Sequence, residues 1–423
     1  MIQLIKSRKP ESLILLIPLI TLFFLPNVSE AAVLPKFWIQ IAVALVLLIY
    51  LIRAKKIAGD NLLPLYGHVA VVIALAISTI AQNHNLNEML SGAWGRRSGL
   101  LTYLSLLAIS LFFAYIRVNY ELLLKICFAT GVIQVAYAYI QYLKLDPFPW
   151  FKPADALIGT LGNPNFLAAF IAMGIISGIS VLIASGKEKI ERLIPLILLI
   201  YSILILNATN TSQGFFMLGI GLFTYIWLFL RSRVLNSKIM QAFWAGSILL
   251  FTSVALGMLG HGPFNSLHDY SVIDRGHMWR VGLQIFINNP INGTGLDTYK
   301  YYEEKYRSAE SISLYGPGPH ADASHNIFID LAYGGGLILL LSYLFFLGNT
   351  IFYIRNYLKR IKGFNPVFAS MFGCWLAFQA QSFISINQLG LSVWGFVFNG
   401  ALIRYCQYHD YKSRYLVNEG RAN

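Results

Sequence analysis

Residues 325–354 read HNIFIDLAYGGGLILLLSYLFFLGNTIFYI and contain a single charged side chain, that of Asp330. A helix needs about 20 largely apolar residues to cross a bilayer, so this stretch predicts a transmembrane helix. Eleven further apolar runs lie on either side of it, and the full set is 12–29, 36–52, 61–81, 99–117, 121–143, 159–185, 193–210, 212–230, 240–260, 325–354, 365–386 and 388–407. The sequence therefore predicts an all-α polytopic membrane protein with about 12 transmembrane helices, folded as a single integral membrane domain over residues 1–423.

The composition excludes most classes of soluble protein. Hydrophobic residues make up 57% of the 423 residues and charged residues only 12%, with a mean hydropathy of +0.60. Soluble domains have about 25% charged residues, and disordered chains lack the aromatic content that 29 Phe, 24 Tyr and 8 Trp give this one. Cys127, Cys374 and Cys406 lie in apolar runs without metal-ligand spacing, so neither a disulfide framework nor a metal site is expected.

The net charge of +13 could suggest a nucleic-acid partner, but the distribution of the basic residues along the chain indicates orientation in a membrane instead. No nucleic-acid partner is therefore expected. With the N-terminus placed in the cytoplasm, 22 of the 32 Lys and Arg residues fall on the inner side, as the positive-inside rule requires. The other ten are Lys36, Arg96, Arg97, Lys144, Lys152, Arg275, Arg280, Lys300, Lys305 and Arg307. Both termini are therefore predicted to be cytoplasmic. Lys6, Arg8 and Lys9 precede the first apolar run as in a secretory signal, but eleven later spans favour a retained signal-anchor.

The outer loop at 261–324 is too long to be a simple connection between two spans. Within it we expect a short amphipathic helix that is N-capped by Asp274 and ends at the Asn-Asn-Pro sequence of residues 288–290. Its apolar stripe would consist of Trp279, Leu283 and Phe286.

His325 is the first candidate for chemistry. It lies at the outer mouth of the tenth span, where a histidine titrates near neutrality and can pass a proton in either direction. The alternative is a polar residue that starts the helix and faces interfacial water, and position alone favours this structural role.

Four outer arginines are candidates for binding phosphate. Arg96 and Arg97 depart from the positive-inside pattern, and a guanidinium can hold pyrophosphate through paired hydrogen bonds. They could equally anchor to lipid headgroups or pair with Glu88. Arg275 would lie at the N-terminal end of the loop helix, where free N–H groups favour an anion. Arg280 follows five residues later on a different face, and a solvated pair beside acidic neighbours is the alternative for these two.

Four sequence blocks, taken in order, resemble the O-antigen ligase and O-antigen polymerase superfamily, which transfers glycans from undecaprenyl-pyrophosphate carriers. The blocks are GRRSGLL at 95–101, GTLGNPNF at 159–166, RGHMW at 275–279 followed by NP at 289–290 and GTG at 293–295, and SHNIF at 324–328 with GGGL at 334–337. The order of the blocks and their placement in the loops carry the resemblance, over about residues 90–400. One position departs from the family pattern, because Gln213 stands where the family often has the arginine of a T-x-S-R-G element.

The resemblance implies a GT-C-like fold and a transfer that requires neither a metal nor another cofactor. A lipid pyrophosphate is already a good leaving group, so arginines can neutralise its charge while a histidine deprotonates the acceptor hydroxyl. The resemblance assigns the role of catalytic base to His325. It assigns pyrophosphate binding to Arg275, Arg96, Arg280 and Arg97. Possible further substrate-binding residues are Gln213, Asn326, Asn163 and Asn165.

The leading functional hypothesis is an O-antigen ligase that moves a lipid-linked glycan onto lipid A-core. A polymerase with a lipid-linked glycan as acceptor, and a protein O-oligosaccharyltransferase, would use the same donor and stay open as alternatives. Each would lie in the bacterial inner membrane, in contact with its lipids, with an active site facing the periplasm. A transporter is the alternative from another class, but the sequence shows no internal repeat and few charged residues within the spans.

Overall fold

The computed structural model describes residues 10–55, 61–80, 85–148, 156–185, 189–233, 237–265, 270–318, 320–361 and 363–422, and within these ranges the chain forms helices and no strands. The helices are α1 (Glu11–Ile14), α2 (Ile17–Leu22), α3 (Leu34–Arg53), α4 (Leu63–Ile80), α5 (Leu86–Ser91), α6 (Leu100–Tyr115), α7 (Tyr120–Tyr142), α8 (Pro164–Ala184), α9 (Lys189–Ala208), α10 (Ser212–Arg233), α11 (Ser237–Met258), α12 (Tyr270–Asn288), α13 (Tyr299–Tyr306), α14 (Ala309–Tyr315), α15 (Ile327–Arg360), α16 (Pro366–Ser382) and α17 (Leu389–Ala422). Lys6, Arg8, Lys9 and Lys152, which were assigned to sides of the membrane above, lie outside the described residues.

Helices long and apolar enough to cross a membrane account for nine of the twelve predicted spans within the described ranges. They are α3, α4, α7, α8, α9, α10, α11, α15 and α17. The other three predicted spans form shorter helices: the first is divided into α1 and α2, α6 has 16 residues, and α16 has 17. The predicted all-α polytopic membrane fold is confirmed.

The spans pack around α17, which is the most buried of the nine, whereas α11 lies at the periphery. Small residues allow neighbouring helices to approach closely, as is common in membrane bundles. Gly131 of α7 faces Gly174 of α8, and a Cβ added to Gly131 would lie 3.1 Å from the Cα of Gly174. Because lipid gives no hydrophobic drive for helix association, such close packing is what holds these two spans together.

Helix α15 is kinked at Gly336, whose φ of 66° and ψ of −165° are not helical. The outer loop docks into this kink, where the N–H of Leu337 donates to Pro290 (2.7 Å) and that of Gly295 donates to Gly334 (2.8 Å). A Cβ at Gly336 would collide with the backbone of Ile291, so only glycine fits here. The kink therefore anchors the loop against the N-terminal part of α15.

The helix predicted in the outer loop is present as α12 and ends at Asn288 as expected, but two of its predicted features are wrong. The chain is already helical at Tyr270, so Asp274 lies within α12 and is not its N-cap. The buried face consists of Met278, Val281 and Ile285, whereas Leu283 of the predicted stripe is 43% exposed. The reason is tertiary: α12 packs against Tyr299 of α13 and Tyr333 of α15, and those contacts select a face next to the predicted one.

Candidate active site around His325

His325 lies in the tight connection that leads into α15. Its backbone is in the left-handed region, with a φ of 54°, which is uncommon for a residue with a side chain and marks a position held by its surroundings. On the helix side, the Asn326 side chain caps α15 by accepting hydrogen bonds from the N–H groups of Phe328 (3.0 Å) and Ile329 (3.2 Å). The side chain of Asn326 is thus used to begin the helix.

Asp330 holds the residue on the other side of His325. Its Oδ1 accepts hydrogen bonds from both the backbone N–H (3.1 Å) and the hydroxyl (2.7 Å) of Ser324. Ser324 is fully buried, so these bonds are shielded from water. With Asn326 and Ser324 both fixed, the backbone on either side of His325 is constrained.

Arg96 is buried in the same network, with its side chain 3% exposed. Its Nε lies 3.1 Å from Asp297, its Nη2 lies 3.5 Å from Asp330, and its Nη1 donates to the backbone carbonyl of Asp322 (3.2 Å). Burial alone would lower the pKa of Arg96, but the surrounding carboxylates raise it above its ordinary value. The guanidinium therefore stays charged and joins the start of α15, at Asp330, to the outer loop, at Asp297 and Asp322.

Asp297 completes this network from the loop side. Its Oδ2 accepts hydrogen bonds from the N–H groups of Ala93 (2.9 Å) and Ser98 (3.1 Å), on either side of Arg96. The predicted pyrophosphate ligand Arg96 thus lies beside His325, but its guanidinium is enclosed by carboxylates.

Arg97 points to a different partner. Its Nη2 lies 2.6 Å from the buried carboxylate of Glu30, and its Nη1 donates to Ser91 (3.2 Å). Glu88, the partner considered from the sequence, instead contacts Lys300 at 2.5 Å. Arg97 therefore ties the loop before α6 to the segment before α3.

Arg275 and Arg280 both lie on α12 but differ in their relation to His325. Arg275 is half-buried and donates from Nη1 to the Ser271 hydroxyl (3.1 Å), whereas Arg280 is exposed. Burial and, to a smaller extent, the positive charges of Arg96 and Arg275 lower the pKa of His325 to about 4, against the opposing effect of the carboxylates of Asp322 and Asp274. The positive charge of Arg275 therefore acts on His325, and the imidazole is neutral at physiological pH.

An open cavity of about 350 Å³ lies beside His325. Its walls are formed by Met278, Lys300, His320, Ala321, Asp322 and His325. The sequence did not predict Lys300 and His320 as site residues. They reach the cavity only through the folding of the outer loop, which the sequence pattern does not reveal. Asp330 was overlooked as well, although a lone carboxylate in an uncharged apolar run is itself a signal of function.

The remaining predicted ligands lie at the starts of other helices. Asn163 is the N-cap of α8, where its Oδ1 accepts a hydrogen bond from the N–H of Asn165 (2.8 Å). Gln213, in the first turn of α10, is 4% exposed, and neither polar atom of its side chain has a hydrogen-bond partner among the described residues. A buried carboxamide without a partner is costly, so the side chain of Gln213 still has hydrogen-bonding capacity to offer.

Comparison with known proteins gives a match to one family. Residues 196–344, about a third of the chain, match the sequence model of a family described as O-antigen ligase. The matched region runs from α9 into α15 and includes Gln213, Arg275, the cavity residues and His325. A search of curated proteins finds no match. The match over residues 196–344 supports the resemblance to the O-antigen ligase superfamily that the sequence blocks predicted.

Proposed function

We propose that this protein transfers a glycan from an undecaprenyl-pyrophosphate carrier to an acceptor hydroxyl at the outer face of the bacterial inner membrane, as an O-antigen ligase. The observation that carries the proposal is His325, a neutral imidazole held by its flanking residues on an open cavity beside Arg275. The family match supports a ligase or polymerase type of function in general. The lipid carrier, the acceptor and the independence from metal ions are part of the proposal.

The donor would bind through Lys300 and Arg275. Lys300 lines the cavity, and Arg275 acts on His325 electrostatically. A guanidinium can bind a phosphate through two parallel hydrogen bonds, so we assign the pyrophosphate mainly to Arg275. Arg280 is exposed on the same helix and would contribute long-range attraction. Arg96 is assigned to holding the segment around His325 in place, because its guanidinium is enclosed by three carboxylates.

The proposed reaction is a direct displacement at the anomeric carbon of the donor. The acceptor O–H bond breaks, its proton passes to His325, and the acceptor oxygen forms the new bond to the anomeric carbon. The bond from that carbon to the phosphate oxygen breaks, and its electron pair leaves with the lipid pyrophosphate. Arg275 stabilises the charge that develops on the phosphate, and the neutral His325 accepts the proton as general base.

The acceptor decides between a ligase and its alternatives, and deletion of the gene tests this directly. A ligase deletion should leave lipid A-core without attached glycan, while chains accumulate on the carrier lipid. A lipopolysaccharide with single repeat units would instead indicate a polymerase, and loss of glycans from proteins would indicate a protein O-oligosaccharyltransferase. Uptake of substrate by the purified protein in vesicles, without glycan transfer, would contradict the whole proposal.

A further inference from the structure

A second imidazole, that of His320, lines the same cavity as His325. Its Nε2 lies 2.8 Å from Oδ1 of Asp274, and the ring of Tyr315 stacks on it with centroids 4.0 Å apart. The backbone N–H of His320 donates to the Glu303 carboxylate (3.2 Å). The position and plane of the His320 ring are thus determined by contacts from three helices, α12, α13 and α14.

The pair formed by His320 and Asp274 has the arrangement of a proton acceptor. A carboxylate bonded to one ring nitrogen holds the proton there, leaves the lone pair on the other nitrogen, and stabilises the imidazolium that forms on protonation. With Nε2–H directed to Asp274, the Nδ1 atom of His320 is the nitrogen left to accept a proton. His277, which lies on α12, instead meets Tyr315 edge-on, with ring centroids 6.2 Å apart.

His325 is in the opposite electrostatic situation. Burial disfavours its protonated form, and so do the charges of Arg96 and Arg275, which together with burial hold its pKa at about 4. Once His325 has removed a proton from the acceptor, that proton is therefore held weakly. A second base on the same cavity would allow it to leave at once.

We propose that the pair His320–Asp274 takes the proton from His325 after each glycan transfer, which makes His320 a further catalytic residue. This inference rests on the proposed function. One proton moves from the acceptor hydroxyl to His325, from there to Nδ1 of His320, and finally to solvent, since the cavity is open. The sugar–oxygen bond that forms and the sugar–phosphate bond that breaks balance the transfer, so no oxidant or reductant is needed.

The experiment is chemical rescue of the variant His320→Ala. Purified protein in detergent is supplied with undecaprenyl-pyrophosphate-linked repeat units and lipid A-core extracted from the strain that carries the gene. We expect kcat to fall by about 10–100-fold, at or below the lower limit of the roughly 10²–10⁴-fold typical of a lost general acid or base, with KM for the donor unchanged. Added imidazole should restore the rate in proportion to its free-base concentration, because it can enter the space that the ring leaves. His261→Ala, at an exposed position in the outer loop, is the matched control and should keep full activity.

Two further variants keep the inference testable if His320→Ala does not fold. His320→Gln fills the space, so it should lose activity without rescue by imidazole, and Asp274→Asn should lose activity partly. Wild-type rates in the His320 variants, or a loss that imidazole does not restore in His320→Ala, would overturn the inference. If His325→Gln is inactive while His320→Ala is fully active, the proposed function stands and only the proton transfer from His325 to His320 is refuted. A wild-type protein that transfers no glycan overturns both proposals.

Discussion

Replacement of Asp330 by Asn should reduce the rate of glycan transfer although Asp330 does not line the cavity. The carboxylate accepts two hydrogen bonds from Ser324 and lies 3.5 Å from Nη2 of Arg96. Hydrogen bonds to a charged group contribute about 1.5–3 kcal/mol, and about 1.4 kcal/mol corresponds to a tenfold change. Asparagine keeps an oxygen for Ser324 but loses the charge, so we expect kcat to fall by about 10–100-fold.

The assay is the initial rate of transfer by purified protein as a function of donor concentration. A positioning role predicts a loss in kcat with little change in KM, because the cavity walls are intact. Ser324→Ala, which removes one hydroxyl hydrogen bond, should lose less, about tenfold or under. The matched control is Asp146→Asn, a carboxylate that bonds Tyr137 and Gln141 at the end of α7. Wild-type kcat in Asp330→Asn, or a loss confined to KM, would refute the positioning role.

Three further predictions concern the donor, the pH dependence and the orientation. Arg275→Ala should abolish transfer, with Arg275→Lys restoring it only partly because the paired hydrogen bonds are lost; an Ala variant with full activity at normal expression would remove Arg275 from the donor site. Because the pKa of His325 is lowered to about 4, the neutral base should persist as pH falls and be lost only near pH 4. In Arg275→Gln a positive charge is removed, so the midpoint of His325 protonation, followed by NMR of the imidazole, should move up toward the ordinary pKa of about 6.5; a midpoint that stays in place would show that Arg275 does not act on His325. A reporter fused after residue 407 should behave as cytoplasmic, and periplasmic alkaline phosphatase activity of that fusion would contradict the topology.

The helices could be predicted from the sequence because hydropathy and length are local properties. The run from 325 to 354 became α15, and the position of His325 at its start followed from the same pattern. The structural role of Arg96 could not be predicted, because Asp297 and Asp330 lie more than 200 residues farther along the chain. Sequence reasoning predicted a cation on the outer side but not the carboxylates that enclose it.

The helix of the outer loop shows a second limit of the sequence. Its end at Asn288 was predicted because Pro290 gives a local stop signal. Its start was wrong because the chain is already helical at Tyr270. Its buried face was wrong because α12 packs against Tyr299 and Tyr333 through a neighbouring face. Asp274 was predicted to be the N-cap of this helix, a common role for aspartate. Its carboxylate instead contacts His320, which lies 46 residues away in the chain.

The most direct test of the central claim is the transfer rate of His325→Gln. Glutamine retains hydrogen bonding at this half-buried position but cannot take up the proton, so the positions of Ser324 and Asn326 should be preserved. Loss of a general base typically costs about 10²–10⁴-fold in rate, and we expect a loss in this range with normal expression and an unchanged elution profile in detergent. Transfer by His325→Gln at close to the wild-type rate would contradict the account, because His325 would then position the substrate and another group would remove the proton.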